Sequence, residues 1–243
     1  MNPDPRPFPI RFQRAVADAA LALINAFFDR YTGGRGRPVF FDVATTAPAL
    51  KGLTDRWREI RAEVDSLLAD GPVFPRYHEL DPHIVRISQN PDPTKSWRVF
   101  LLHAMGETPP AARERAPRTV ALLAGVPDLY QAFFSVLAPG TGVPPHEGPY
   151  RGYLRYHLGL RVPTGHPPRI RVLDRSYVWR EGEDVLFDDS WDHEVINEAT
   201  EPRVILIVDI LRPMAGVPAA VNRWLVRRLI HPLYARKLIR HLR

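Results

Sequence analysis

Two histidines, His146 and His193, sit at polar turns beside short apolar runs rather than inside them. His146 opens the stretch Pro144 to Val162, PPHEGPYRGYLRYHLGLRV, and His193 lies in FDDSWDHEV, just past the apolar run Val185 to Phe187. In the first stretch Leu154, Tyr156, Leu158, Leu160 and Val162 alternate with Arg155, His157, Gly159 and Arg161. That period of two sends side chains to opposite faces of a strand, so Arg155 and His157 share one face. Arg203 then heads the strand RVILIVDI, with Ile205 and Ile207 beyond it on the same face. Neutral imidazole is a ligand for iron(II) and other divalent metals. The planar, permanently charged fork of arginine suits a carboxylate. A charge heading an apolar strand is costly unless it is paired. Together these residues suggest a metal and an anion held in one barrel. On residue types alone a second reading stays open: the rings satisfy backbone groups of their turns, and Arg203 lies at a solvated rim.

The chain has no cysteine, so a metal site must use histidine and oxygen, and disulfides and thiolate nucleophiles are excluded. Many non-haem iron oxygenases add a carboxylate two residues after the first histidine, and here that position is Gly148. Glu147 is next to His146 but out of register, a minor candidate. Asp188 and Asp189 flank the second turn. They either orient a metal-bound ring through its other nitrogen or cap the turn. Asp209, inside an apolar strand, needs a partner. Nothing resembles a Ser-His-Asp elbow or a P-loop.

The succession H-x-G-P, R-x-H-L-G-L, F-D-D-S-x-x-H-E-V, an arginine ten residues further and I-V-D resembles the aspartyl/asparaginyl β-hydroxylase family. Those are iron(II)- and 2-oxoglutarate-dependent dioxygenases, and the similarity covers roughly residues 97 to 213. The same family fold serves bacterial lipid A acyl-chain hydroxylases. INAF (Ile24 to Phe27) and AAVNRW (Ala219 to Trp224) are similar to that branch. The resemblance implies a mainly β double-stranded β-helix (jelly roll), with His146 and His193 as metal ligands and water in place of the missing carboxylate. It implies contacts to 2-oxoglutarate from Ser135, Arg155, His157 and Arg203, with Arg203 on the distal carboxylate. The implied reaction consumes O₂ and 2-oxoglutarate, releases succinate and CO₂, and hydroxylates an unactivated C–H bond. No side chain need act as acid, base or nucleophile, and the protein places the substrate. The family name ranks the β-carbon of an aspartyl or asparaginyl residue, or a related small molecule, first. The flanks point instead to the acyl chain of a lipid. A catalytically silent jelly-roll binding module is a third reading, disfavoured by the intact set of residues.

Around this core the spacing predicts three parts: a helical extension over 1–96 packed on the core, the jelly roll over 97–213, and a basic helical tail over 214–243. A helix is predicted from Arg11 to Tyr31, then a basic linker from Arg35 to Pro38. A second helix carries the stripe Leu50, Leu53, Trp57, Ile60, Val64 and Leu67. His78 and His83 read as loop or surface. Strands are predicted over 97–102 and 133–137, a proline-rich loop over 106–117 and a short helix over 119–123. Beyond that come short strands and turns.

The net charge of +6 is not evenly spread. From Leu211 to the end there are eight Lys/Arg and no Asp/Glu, while the other 210 residues hold 25 Lys/Arg against 27 Asp/Glu. The body has no basic face for nucleic acid. The tail predicts two helical pieces broken at Pro232, either packed on the barrel or lying on an anionic membrane. The most apolar early run, Ala19 to Phe28, falls short of the roughly 20 residues needed to span a bilayer and is followed by no cleavage site. These features predict a cytoplasmic protein, peripheral at the inner membrane surface if the tail binds lipid.

Overall fold

Every residue of the strand Arg203–Leu211, RVILIVDIL, is buried. Its run is continuously apolar, apart from Arg203 and Asp209, because both of its faces are covered. Ile205 and Ile207 point into one core and Val204, Leu206, Val208 and Ile210 into another. The structure, a computed structural model, describes residues 8–71, 74–81, 84–92 and 94–235. In chain order the strands are β1 (Phe40–Phe41), β2 (Trp97–Ala104), β3 (Leu129–Leu137), β4 (Val143–His146), β5 (Tyr153–Arg161), β6 (Arg169–Val172), β7 (Arg175–Val178), β8 (Asp184–Phe187), β9 (His193–Ile196) and β10 (Arg203–Leu211). They form two antiparallel sheets, ordered β1-β8-β5-β10-β3-β2 and β4-β9-β6-β7. The core is the expected jelly roll, although more residues lie in the surrounding helices than in strands.

Between the sheets, Val99, Leu101, Phe133 and Ile205 meet Ile170, Val172 and Trp179. The apolar set of β5, Leu154, Tyr156, Leu158 and Leu160, faces the other way, onto helices. Arg155 and His157 therefore point between the sheets. The helices are α1 (Phe8–Thr32), α2 (Val43–Thr46), α3 (Lys51–Asp55), α4 (Trp57–Ala69), α5 (Tyr77–Leu80), α6 (Val85–Ser88), α7 (Pro110–Arg115), α8 (Pro117–Ala124) and α9 (Val217–Leu225).

Several expectations change here. Leu50, Leu53, Ile60, Val64 and Leu67 are buried as their spacing predicts, but the helix breaks at Arg56 into α3 and α4. Lys51 and Thr54 of α3 bond Asp184 at the start of β8, which ties that short helix to the sheet. Trp57 is only half buried and lies against Gly182, where a Cβ would come within 2.7 Å of its indole nitrogen. The loop predicted over 106–117 contains α7, and α8 follows directly. Proline in the first turn starts each, because that position has no intrahelical N–H bond to lose. His78 lies half buried in α5, and His83 is outside the described residues.

The tail does not break at Pro232. After α9 it becomes a π-helical segment, Val226–Ala235, with Pro232 inside it. The wider turns relieve the clash between a proline ring and the carbonyl four residues earlier. Arg236, Lys237, Leu238, Arg240 and Leu242 lie outside the described residues. No helix among the described residues is long and apolar enough to cross a membrane.

Candidate active site

Strands β4 and β9 pair so that His146 stands opposite His193, with the ring centroids 4.1 Å apart. The Nδ1 of His146 lies 2.8 Å from the carbonyl of Pro144, and that of His193 lies 2.8 Å from the carbonyl of Trp191. A carbonyl only accepts, so each Nδ1 carries the proton and each Nε2 is left with a free lone pair. Burial above all pushes both rings down to about pKa 4, so both are neutral at pH 7. Two such nitrogens fit a divalent metal. Among the described residues no cluster of three or more His, Asp or Glu offers a fuller ligand set. Glu147 faces solvent.

At Gly148 an ideal Cβ would fall 2.5 Å from Oδ1 of Asp189, and the Gly148 amide donates to the Asp189 carbonyl at 2.8 Å. The position that carries a carboxylate in other two-histidine sites is therefore filled from across the loop by Asp189. Its Oδ1 is buried without a partner. Neither Asp188 nor Asp189 orients the histidine rings, because the backbone carbonyls do that. Asp188 does cap its turn, accepting from the amide and hydroxyl of Ser190 at 3.1 and 2.6 Å.

Deeper between the sheets the alternation of β10 brings Arg203 inward at 2% exposure, with no ion-pair partner among the described residues. Burial alone pushes its pKa down to about 9. Its guanidinium lies 4.6 Å from the Trp179 ring, and one Nη donates to Ser135 Oγ at 3.2 Å. Trp97 Nε1 donates to the same oxygen at 2.9 Å. With both lone pairs of Ser135 taken, its single hydrogen is left to donate elsewhere. Both ring nitrogens of His157, the Nε of Arg203 and the indole nitrogen of Trp179 are buried without partners. Burial, then Arg155 and Arg203, pushes His157 well down, so it is neutral. Phe187 lies between His157 and His193, with centroids 4.9 and 6.1 Å away. A buried cation and a ring of unused donors fit a carboxylate-bearing ligand that reaches in from the histidine pair.

Arg155 is brought to the site but is already engaged. Register places it opposite Asp209, whose two oxygens take Nε and Nη2 at 2.8 Å each. Nη1 lies 3.0 Å from Asp189, which also accepts from the Tyr153 hydroxyl at 2.8 Å. Burial pushes both carboxyls up while Arg155 opposes it. A second buried pairing lies behind this one. Arg37, expected in a linker, is buried with Nε 2.8 Å from Asp188 and its guanidinium 3.6 Å from the Trp191 ring centroid. It also donates to the hydroxyl of Ser190 at 3.0 Å, and Arg212 pairs with Asp188 from the other side. Arg37, Arg212, Trp97, Tyr153 and Trp179 carry no site role in the sequence analysis, because nothing in their local pattern distinguishes them from linker or core residues.

A family profile described as "Aspartyl/Asparaginyl beta-hydroxylase" matches residues 54–213. An "Ornithine lipid ester-linked acyl 2-hydroxylase" from Rhizobium tropici is 33% identical over 195 residues, which are 80% of this chain and 67% of that protein. The "Aspartyl/asparaginyl beta-hydroxylase" of Homo sapiens is 38% identical over 122 residues, which are 48% of this chain but 16% of the human protein. A solved prolyl-4-hydroxylase from Pseudomonas putida superposes with a TM-score of 0.43 at 17% identity, covering 66% of this chain and 88% of that one.

Proposed function

Because the chain belongs to the aspartyl/asparaginyl β-hydroxylase family, we propose that it is an iron(II)- and 2-oxoglutarate-dependent hydroxylase acting on the acyl chain of a lipid. The observation that carries the cosubstrate is Arg203, a buried cation with no counter-ion among the described residues, beside a hydroxyl whose proton is free to donate. A dicarboxylate supplies the missing negative charge, and its distal end is the part to reach this depth. Ser135 donates to the same carboxylate, and neutral His157 offers a further hydrogen bond without adding charge.

His146 and His193 would hold the metal through Nε2. Iron(II) with 2-oxoglutarate supplies the oxidation of an unactivated C–H bond by O₂, one oxygen atom going to succinate and one to the product. The chain's own task is placement. Backbone carbonyls lock the tautomers of the two rings. Arg155 with Asp209 and Tyr153 fixes the carboxylate of Asp189 next to Gly148. Trp97 and Trp179 exclude water from around Arg203.

The lipid substrate is favoured by the extent of the relationships. The Rhizobium lipid hydroxylase matches across 80% of the chain, whereas the human enzyme matches across 48%. This reverses the ranking drawn from the sequence. An aspartyl or asparaginyl side chain remains the second reading, supported by the 38% identity in the shared part.

Anaerobic addition of iron(II) and 2-oxoglutarate gives a weak visible charge-transfer band in the wild type. His193→Ala gives none while keeping its far-UV spectrum. A wild type without a band and without retained metal would leave a jelly-roll binding module instead. Mass spectrometry of lipids and of aspartyl peptides, each incubated with the loaded enzyme, separates the two substrates by which gains a single oxygen atom.

A further inference from the structure

Two helices hold most of the large apolar side chains that the described residues leave in water. Among the described residues eight large apolar side chains are exposed, and six of them lie on α1 or on α9 and its π-helical continuation. The other two, Val85 and Leu173, stand singly elsewhere. On α1 the exposed stripe is Val16, Ala19, Leu23 and Ala26, with Leu23 74% exposed. That spacing is the helical repeat of one face, while Leu21, Ile24, Phe27 and Phe28 of the opposite face pack on the core. On the C-terminal helix Val217, Trp224 and Leu229 are exposed, Trp224 by 55%. Arg227 and Arg228 are exposed between the last two. From Leu211 onward the chain has no acidic residue; Asp128, just before β3, pairs with Arg223 at 2.8 Å and also attracts Arg227. Beneath this helix lies a cleft of 360 Å³ of mixed character, with Leu102, Met105, Leu123 and Val226 beside Asp128, Arg223 and Arg227.

The two helices are anchored at one place. Asn25 of α1 donates to the carbonyl of Pro149 and accepts from the amide of Arg151, at 2.9 and 3.0 Å. Asn222 of α9 accepts from the Tyr150 hydroxyl at 2.5 Å and donates to the carbonyl of Gly152 at 2.6 Å. Phe28 packs edge-on against Tyr150, with centroids 5.7 Å apart. The loop they grip, 147–152, is the one that leaves His146 for β5. The asparagines of the INAF and AAVNRW motifs thus both clamp the metal loop and tie to it two helices that carry exposed apolar side chains.

We infer that α1 and the C-terminal helix form one docking face for the anionic surface of a lipid bilayer. Leu23, Trp224 and Leu229 enter the interface, Arg227 and Arg228 sit among the headgroups, and the metal loop is carried to the membrane. Apolar side chains interleaved with two exposed arginines, which Asp128 offsets only in part, fit a surface that is apolar below and negative above. The inference rests on the surface and not on the choice of lipid as substrate.

The test is flotation of the full chain with vesicles of phosphatidylcholine alone and of phosphatidylcholine with phosphatidylglycerol. Binding is expected only with phosphatidylglycerol, and is expected to fall with salt. Arg227→Gln with Arg228→Gln should lower it about fivefold per charge removed. Leu23→Ser and Trp224→Ser should each lower it about tenfold. Val85→Ser, on another face, should leave it unchanged. Wild type that ignores phosphatidylglycerol overturns the inference. So does a Leu23→Ser protein that binds as the parent does, since that would confine the contact to the tail. Wild type that is dimeric without lipid, and monomeric as Trp224→Ser, would assign the face to a second copy and overturn it too. None of these results alters the metal band of the hydroxylase test, so the two readings fail separately.

Discussion

Replacing Arg203 with methionine should make the protein more stable and useless to its cosubstrate at once. Burial moves the Arg203 pKa from 12.5 to about 9, and no carboxylate among the described residues offsets it. A base whose folded-state pKa is lowered destabilises the fold whenever it is charged. The penalty is therefore complete at pH 7 and is relieved only as pH rises through about 9 towards 12.5. About 3.5 units at 1.36 kcal/mol each give a penalty of about 5 kcal/mol. The contact with Trp179 returns about 1–2 kcal/mol of this, and methionine keeps most of the stem's packing. Arg203→Met should then unfold at higher urea, with a gain of about 3 kcal/mol and an unchanged m-value. With iron(II) replaced by redox-inert zinc, 2-oxoglutarate at a hundredfold excess over its Kd should add about 2.7 kcal/mol to the wild type and nothing measurable to the variant. A variant less stable than wild type without cosubstrate would mean that the charge is compensated. Equal stabilisation of both by 2-oxoglutarate would remove Arg203 from the anion site.

Gly148→Asp places a side chain where Asp189 already stands, so it should lower both Tm and metal affinity rather than supply a third ligand; a tighter-binding variant, by metal titration, would contradict this. Arg37→Ala leaves Asp188 with one of its two arginines and frees Trp191, whose carbonyl holds His193, so a loss of about 2–4 kcal/mol in urea unfolding and weaker metal binding are expected. Arg37→Lys should restore part of the stability but little of the metal affinity, because lysine cannot stack and fork together. His103 accepts the amide of Gly106 through Nε2, and burial lowers its pKa to about 4. Its contribution is therefore complete above pH 6.5 and is lost as pH falls towards 4, by about 1–3 kcal/mol. His103→Gln should flatten that part of the stability curve, and an unchanged slope would count against the assignment.

What could be read in the chain was what local pattern fixes. His146 and His193 stood out because they occupy polar turns, where a core histidine has no reason to be. Arg203 stood out because it heads an otherwise apolar run. The alternation of β5 correctly put Arg155 and His157 on one face. It could not tell that Arg155 would be consumed by Asp209, since that depends on β5 and β10 being neighbours 54 residues apart. Arg37 was illegible for the same reason at greater range: GRGRP has no periodicity, and its partner lies 151 residues away. The interrupted helix at Arg56 and the passage of Pro232 through a π-helical segment are tertiary accommodations that propensity alone does not encode.

The Arg37 clamp also decides how this protein can be dissected. The region shared with the family begins at residue 54, yet the turn that presents His193 is gripped from residue 37, and β8 is covered at its edge by β1 at residues 40–41. A fragment cut to the shared region would keep both histidines and every residue of the anion site. It would also unpair the edge of the larger sheet and strip a buried carboxylate of one cation. The smallest autonomous unit is therefore expected to exceed residues 54–213, and a fragment cut there that fails to hold metal would be reporting on its boundary rather than on its ligands.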